Sequence, residues 1–237
     1  MNKLTKICAA SALVFASSHT FAAELEITIQ NLTQGLHFTP IAAVAHTPEN
    51  SLFEVGEEAT PQVRAMAEGG SLTDLATLAT SIGADVLANP AGGLLGPAKS
   101  TLVENGALMT SDGNTVLSVV AMILPTNDGF IGLDNWTIPT EAGTYTVFLN
   151  AYDAGTEAND ELRGGGMPGV SGMPVPPPLA PLLGTGGTGV TDMETNKTVH
   201  IHRGNIGDDS ATDGKSDVTN TVHRWLNPVA KVTVTVK

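Results

Sequence analysis

Apolar and polar positions alternate most cleanly at the two ends of the chain. Glu24-Leu-Glu-Ile-Thr-Ile-Gln-Asn31 sets Leu25, Ile27 and Ile29 against Glu26, Thr28 and Gln30, the period of two that marks a half-buried strand. Pro228-Val-Ala-Lys-Val-Thr-Val-Thr-Val-Lys237 ends in the same pattern, with Val232, Val234 and Val236 inward. Thr115–Leu124 and Gly143–Tyr152 are longer apolar runs and read as central strands. Gly35–His46 enters a strand after Pro40, and Asn196–Arg203 regains strand character. Two short helices interrupt the pattern. Thr60 caps the first and Pro61 suits its opening position; Val63, Met66 and Ala67 share a face until Gly69-Gly70. Ser71 and Asp74 resemble a capping pair for the second, in which Leu72, Leu75, Leu78 and Ile82 share a face until Gly83. Arg163 to Gly189, broken by Gly164-Gly-Gly, Pro176-Pro-Pro and Gly184-Thr-Gly-Gly-Thr-Gly, has no burying period and reads as a long flexible loop. Without β–α alternation, the pattern predicts an all-β antiparallel sandwich with two short covering helices and a long Pro/Gly-rich loop.

The amino terminus changes what counts as the folded chain. Lys3 and Lys6 precede the apolar run Ile7–Ala16, and small residues lead up to Glu24. This describes a signal peptide over residues 1–23, cleaved after Ala22 or Ala23, and a secreted or periplasmic domain over 24–237 with its loop insertion at 163–189. The only cysteine, Cys8, leaves with that peptide, so the mature chain forms no disulfide. So do two of the 11 basic residues, leaving nine against 24 acidic ones, a formal net charge of −15 in place of −13. Such a surface argues against nucleic acid and anionic membranes as partners and suits cations or basic patches on another macromolecule. No other segment is long and apolar enough for membrane insertion.

Candidate chemistry lies where two apolar runs end. Thr126-Asn-Asp-Gly-Phe-Ile-Gly-Leu-Asp134 follows one run, and Asn150-Ala-Tyr-Asp-Ala-Gly-Thr-Glu157 follows the other. Asp128 or Asp153 alone is ordinary turn chemistry. With Glu157, they form a three-carboxylate candidate for calcium, which takes roughly 6–8 oxygen ligands. Magnesium would want a tighter octahedron, and the absence of cysteine argues against zinc there. Asp134 reads as an ordinary loop carboxylate. His200 and His202 face the same way from a strand, yet spacing supplies no third ligand, so they read as a polar face opposite a buried Val199 and Ile201. Asp208, Asp209, Asp213 and Asp217 do not fit a calcium-loop spacing and read as a solvated loop. No serine sits in a Gly-x-Ser-x-Gly elbow.

Several of these stretches together resemble the spondin domain family, named for F-spondin of the extracellular matrix. His37-Phe-Thr-Pro-Ile-Ala-Ala-Val-Ala-His46 resembles a family stretch reading His-Trp-Ser-Pro-Leu-Ile-Gly-Ala-Ser-His. Pro125-Thr-Asn-Asp-Gly-Phe-Ile-Gly132 is similar to Pro-Ser-Pro-Asp-Trp-Asn-Val-Gly, and Tyr152-Asp-Ala-Gly-Thr-Glu157 to Trp-Asp-Ala-Gly-Thr-Asp. Val229-Ala-Lys-Val-Thr-Val234 resembles the closing strand, Val-Ala-Arg-Val-Val-Ile. The resemblance implies a C2-like sandwich with a calcium ion in loops at one end, held at the positions of Asp128, Asp153 and Glu157, and a role in adhesion or matrix binding. Glu157 departs from the family's Asp by one methylene, and Asp160 lies close enough to stand in. The animal members' cysteines are missing.

The resulting expectation is a stand-alone, non-enzymatic, calcium-binding module in adhesion or extracellular or envelope binding, with an extracellular protein or polysaccharide as an open choice of partner. Two alternatives stay open: a secreted hydrolase using Asp128, Asp153 or Glu157 as acid/base groups, and a structural envelope protein.

Overall fold

The computed structural model describes residues 23–237. The proposed signal peptide lies outside the described residues, save Ala23. The chain folds as an all-β protein with two short helices. Its strands are β1 (Glu24–Asn31), β2 (His37–Phe38), β3 (Ala42–His46), β4 (Asp85–Ala88), β5 (Ala107–Met109), β6 (Val116–Leu124), β7 (Gly129–Thr137), β8 (Gly143–Asp153), β9 (His200–Ile201) and β10 (Ala230–Val236). Helices α1 (Pro61–Gly69) and α2 (Thr73–Ser81) separate β3 from β4. One antiparallel sheet runs β4-β3-β6-β7-β8-β10-β1-β5, with β2 added beside β6 and β9 beside β8.

The long β8 is what folds this sheet on itself. Its first half, Gly143 to Leu149, pairs with β10, and its last residues, Asn150 to Asp153, pair with β7. Each half thus belongs to a different layer. The far ends of the sheet also meet: the Asp85 carboxylate on β4 accepts from the Ser111 amide at 2.5 Å and from Asn114 Nδ2 at 2.8 Å, just beyond β5. The result is sandwich-like and nearly closed.

Both terminal strands face inward as their alternation predicts, with Leu25, Ile27, Ile29, Val232 and Val234 fully buried. They pair with each other in register from Leu25–Val236 to Asn31–Ala230. β6 is buried along its whole length because both faces are covered. Leu117, Val119, Ala121 and Ile123 enter the core between the layers, while Val120, Met122 and Leu124 meet the helices. A continuous apolar run is what a doubly covered strand requires.

The helices cover this outer face through Val63, Met66, Ala67, Leu75 and Ala79. Thr60 caps α1, its hydroxyl accepting from the Val63 amide at 3.3 Å, and Gly70 closes it in the left-handed conformation at φ +68°. Thr60→Ala is expected to lower stability by about 1 kcal/mol, read from urea unfolding midpoints. The second helix differs from expectation. It begins at Thr73 without a side-chain cap, and Ser71 only reaches the Thr73 amide at 3.4 Å. Of the expected stripe only Leu75 is fully buried; Ala79, four residues on, is the other buried contact, while Leu72, Leu78 and Ile82 are half-buried.

Residues 163–189 contain no regular strand, only a single 3₁₀ turn at Ala180–Leu182. They pack all the same, burying Met173, Leu179 and Leu183. The Arg163 guanidinium replaces a hydrogen-bonded ladder, donating to the carbonyls of Gly184 at 2.5 Å and of Ala180 and Leu183 at 2.7 Å.

The acidic segment after β9 is similarly pinned. Asp209 and Asp213 are exposed, but Asp217 is buried and accepts from the Arg163 and Gly187 amides, both at 2.9 Å. That corrects the solvated-loop reading for Asp217. Asp134 is corrected too. It stands on β7 and accepts from Ser51 Oγ at 2.6 Å, Ser118 Oγ at 2.9 Å and the Leu52 amide at 3.1 Å, tying the segment after β3 to the sheet.

Candidate metal centre

The β7–β8 register pairs Gly129 with Asp153, so the turn before β7 and the loop after β8 lie side by side. Asp128 and Asp153 therefore meet at one end of the sheet, and both are buried. Thr126 builds the first turn: its hydroxyl donates to the Ile123 carbonyl at 2.5 Å and accepts from the Gly129 amide at 3.0 Å.

The Asp-Ala-Gly-Thr motif then wraps around the first carboxylate. Asp128 Oδ2 accepts from the amides of Thr156 at 2.8 Å and Glu157 at 3.1 Å, and from the Thr156 hydroxyl at 3.2 Å. Asp153 Oδ1 accepts from the Gly155 amide at 2.8 Å. Gly155 has φ +68°, and a Cβ there would come within 2.7 Å of backbone atoms of Asn196, Lys197 and Thr198. Glycine is thus required twice, for the left-handed turn and for the close approach.

The two carboxylates are short of positive charge. Burial pushes Asp128 well above the usual carboxylate range, with Asp153 beside it adding repulsion. Burial also raises Asp153, against the lowering effect of bonds from Asn159 and Gly155. Neither has a lysine or arginine partner among the described residues; His200 Nε2 stands 3.8 Å and His202 Nε2 4.0 Å from Asp153 Oδ2. Asp128 Oδ1 is buried with no hydrogen-bond partner at all. An unpartnered charged oxygen in the interior costs several kcal/mol unless a proton or cation meets it.

Glu157 and Asp160 point elsewhere. Asn127 Nδ2 donates to Glu157 Oε1 at 3.0 Å and to Asp160 Oδ1 at 2.8 Å, and the Gly172 amide also binds Glu157 Oε1. Burial raises the Glu157 carboxyl, a shift that bonds from Gly172 and Asn127 oppose. Among the described residues no three His, Asp or Glu side chains converge closely enough to enclose an ion as they stand.

The histidine strand arrives at the same place, which spacing along the chain did not indicate. β9 pairs antiparallel with the end of β8, setting His200 opposite Asp153. Val199 is buried as expected, whereas Ile201 is 47% exposed. His202 takes the interior place instead, packed against Gly129 and against Trp225, with ring centroids 4.9 Å apart. Its Nδ1 accepts from the Gly204 amide at 2.9 Å, so the proton sits on Nε2, which donates to Asn159 Oδ1 at 3.1 Å. Burial holds this ring neutral, lowered to about 3. Asn159 Nδ2 in turn donates to Asp153 Oδ2 at 2.6 Å. This His202–Asn159–Asp153 chain fixes the orientation of the carboxylate.

No helix among the described residues is long and apolar enough to cross a membrane. No curated protein was found to match the chain. The family model Spondin_N matches residues 20–161, which takes in both carboxylate loops and strands β1 to β8 but stops short of β9 and β10. With more than half of its length matched, and with the matched motifs building one site, the chain belongs to the spondin N-terminal domain family, an extracellular-type module.

Proposed function

We propose that this protein is an exported, non-enzymatic binding module whose Asp128 and Asp153 loops are held together by calcium. The observation that carries this reading is the unpartnered Asp128 Oδ1, buried beside a second carboxylate. Calcium is a hard cation that takes its ligands from carboxylates, carbonyls and water, and loop ends supply the first two. Asp128 and Asp153 fit as the anionic ligands. Glu157, held by Asn127 and Gly172, braces the second loop.

The bound ion turns carboxylate repulsion into attraction and stabilises the folded chain by preferential binding. Burial of both carboxylates favours an ion site over hydrolysis, because an acid/base pair must reach its substrate in a cleft. The export reading rests on the sequence of residues 1–23 and on the family's extracellular type. Adhesion, or another form of attachment to an extracellular protein or polysaccharide, is the role such a module serves.

Thermal melts of the mature chain test the calcium reading. Calcium at about one hundred times its Kd should stabilise by about 2.7 kcal/mol relative to chelator. Asp153→Asn, which keeps the shape but removes the charge, should abolish the shift. Equal melting temperatures in calcium and chelator would refute it.

A further inference from the structure

We infer that the groove beside Phe148 binds an arginine side chain of a basic partner protein, its guanidinium stacking on Phe148 and pairing with Glu54. This rests on the reading of the chain as a binding module, names the class of its ligand, and does not depend on calcium.

The groove follows from the way β8 serves both layers. β7 and β8 are paired from Gly129–Asp153 to Gly132–Asn150. From Leu149 back to Gly143, β8 lies instead along β10, whereas β7 keeps to β6, with Leu133 opposite Val119. A groove of about 290 Å³ opens in this fork, at the small end for ligand pockets and sized for one long side chain. Phe53, Tyr152 and Phe148 line it together with Glu54, Val55 and Asn150. Phe53 and Tyr152 pack over the bare backbone of Gly132, where a Cβ would exclude them.

Two features set the chemistry of the ligand. Phe148 is 58% exposed and Val55 56%, although the preceding outward positions of β8 are Thr144 and Thr146. An exposed ring and an exposed valine over one groove mark an interaction site more than a lone surface residue does. The other feature is charge. Glu54, Glu57 and Glu58 are exposed on one segment, and none takes part in a salt bridge among the described residues. Asp134 adds to the negative field, though its oxygens are already held by Ser51, Leu52 and Ser118. The acidic excess of the mature chain draws basic partners toward the groove. A guanidinium meets both demands, because it stacks on an aromatic face and bonds a carboxylate through parallel N–H groups, as an ammonium does not. A neutral saccharide would use the rings but leave Glu54 without a counter-charge. Lys231, opposite Phe148 on β10, is the opposing charge and limits the affinity.

Fluorescence anisotropy tests this with a labelled peptide of alternating arginine and glycine, set against its lysine and citrulline counterparts. The mature protein should bind the arginine peptide more tightly than the lysine one, and the citrulline one not detectably. Phe148→Ala, which leaves the charge unchanged, should weaken arginine binding about two- to fivefold. Glu54→Gln should weaken it about tenfold, Lys231→Glu should strengthen it, and Asp112→Asn, outside the groove, should leave it unchanged. Wild-type affinity in Phe148→Ala overturns the inference, because net charge alone then holds the peptide. Equal losses in Glu54→Gln and Asp112→Asn overturn it for the same reason, as does a lysine peptide bound as tightly as the arginine one. Displacement of the peptide by a neutral glucan oligomer assigns the groove to a saccharide and overturns it too. Melts in calcium and chelator keep the two readings apart. Arginine binding that depends on Phe148 without any calcium shift supports this inference and overturns the calcium reading. A calcium shift without arginine binding overturns this inference alone. A melting temperature of Phe148→Ala close to wild type would show that its loss is not unfolding, and Glu54→Gln, at an exposed position, carries the test if it is not.

Discussion

Replacing Phe130 with alanine is expected to lower stability by about 3–5 kcal/mol. Phe130 is fully buried one residue into β7, beneath the helices. Its ring meets Phe53 edge-on at a centroid distance of 5.1 Å and stacks on Tyr152 at 5.7 Å. Phe53 also lies 5.2 Å from Tyr152, so the three rings form one cluster. In a chain with ten aromatic residues, this cluster is a concentrated share of the large side chains that fill space. The neighbours cannot collapse into the gap, since Phe53 and Tyr152 already pack against the hydrogens of Gly132, where a Cβ would stand 2.6–2.7 Å from them. The cavity therefore stays open and adds its own cost to the lost transfer energy. Urea unfolding followed by far-UV circular dichroism measures it; a loss under about 1 kcal/mol would mean that the cluster repacks. Tyr152 directly precedes Asp153 and Phe130 lies two residues beyond Asp128, so the same variant should also weaken any cation affinity.

Glu161→Ala is expected to cost about 3 kcal/mol or more. Each buried partner left without a hydrogen bond costs about 1–3 kcal/mol, and bonds to a charged group lie at the upper end. Glu161 is buried, and its carboxylate accepts from the Ile206 amide at 2.5 Å, the Gly207 amide at 2.8 Å and Ser216 Oγ at 2.7 Å. Its own backbone sits at φ +58°, a region that a non-glycine residue occupies only when its surroundings hold it there. The surroundings do so through Asn127 Oδ1, which accepts from the Glu161 amide at 3.1 Å, and the Asp217 amide, which donates to the Glu161 carbonyl at 2.9 Å. One side chain thus fastens the loop after β8 to the loops after β9. Hydrogen exchange at Ile206 and Gly207 should accelerate in the variant along with the drop in unfolding free energy. Protection unchanged at both amides would show that water replaces the carboxylate. Glu161→Gln, which keeps an acceptor oxygen, should lose less.

Which parts of this were readable beforehand follows from how local each cause is. The terminal strands announce themselves because burial on one face leaves a period of two in the sequence. The first helix does so because Thr60, Pro61 and Gly70 act on their own neighbours. β7 was harder to read: Gly129-Phe-Ile-Gly-Leu-Asp134 looks like a continuing turn, since its two glycines serve close packing under Thr126, Phe53 and Tyr152. The second helix lacks its expected cap, and position relative to the sheet chose Ala79 over Leu78 as its buried contact. Loop 163–189 shows no period because single residues and one arginine hold it.

The carboxylate pair of Asp128 and Asp153 shows the same division. By itself the sequence determined the all-β class, the two strand ends that carry Asp128 and Asp153, and a glycine between Asp153 and Thr156 that only a tight turn needs. Tertiary structure decided the rest. It turned Glu157 and Asp160 toward Asn127, left one oxygen of Asp128 without a partner, and brought His200 and His202 from about fifty residues away. The physical reason is pairing: a strand's own pattern fixes which face is buried, but the neighbour it pairs with is set by the whole sheet. No spacing along this chain records that His200 stands opposite Asp153.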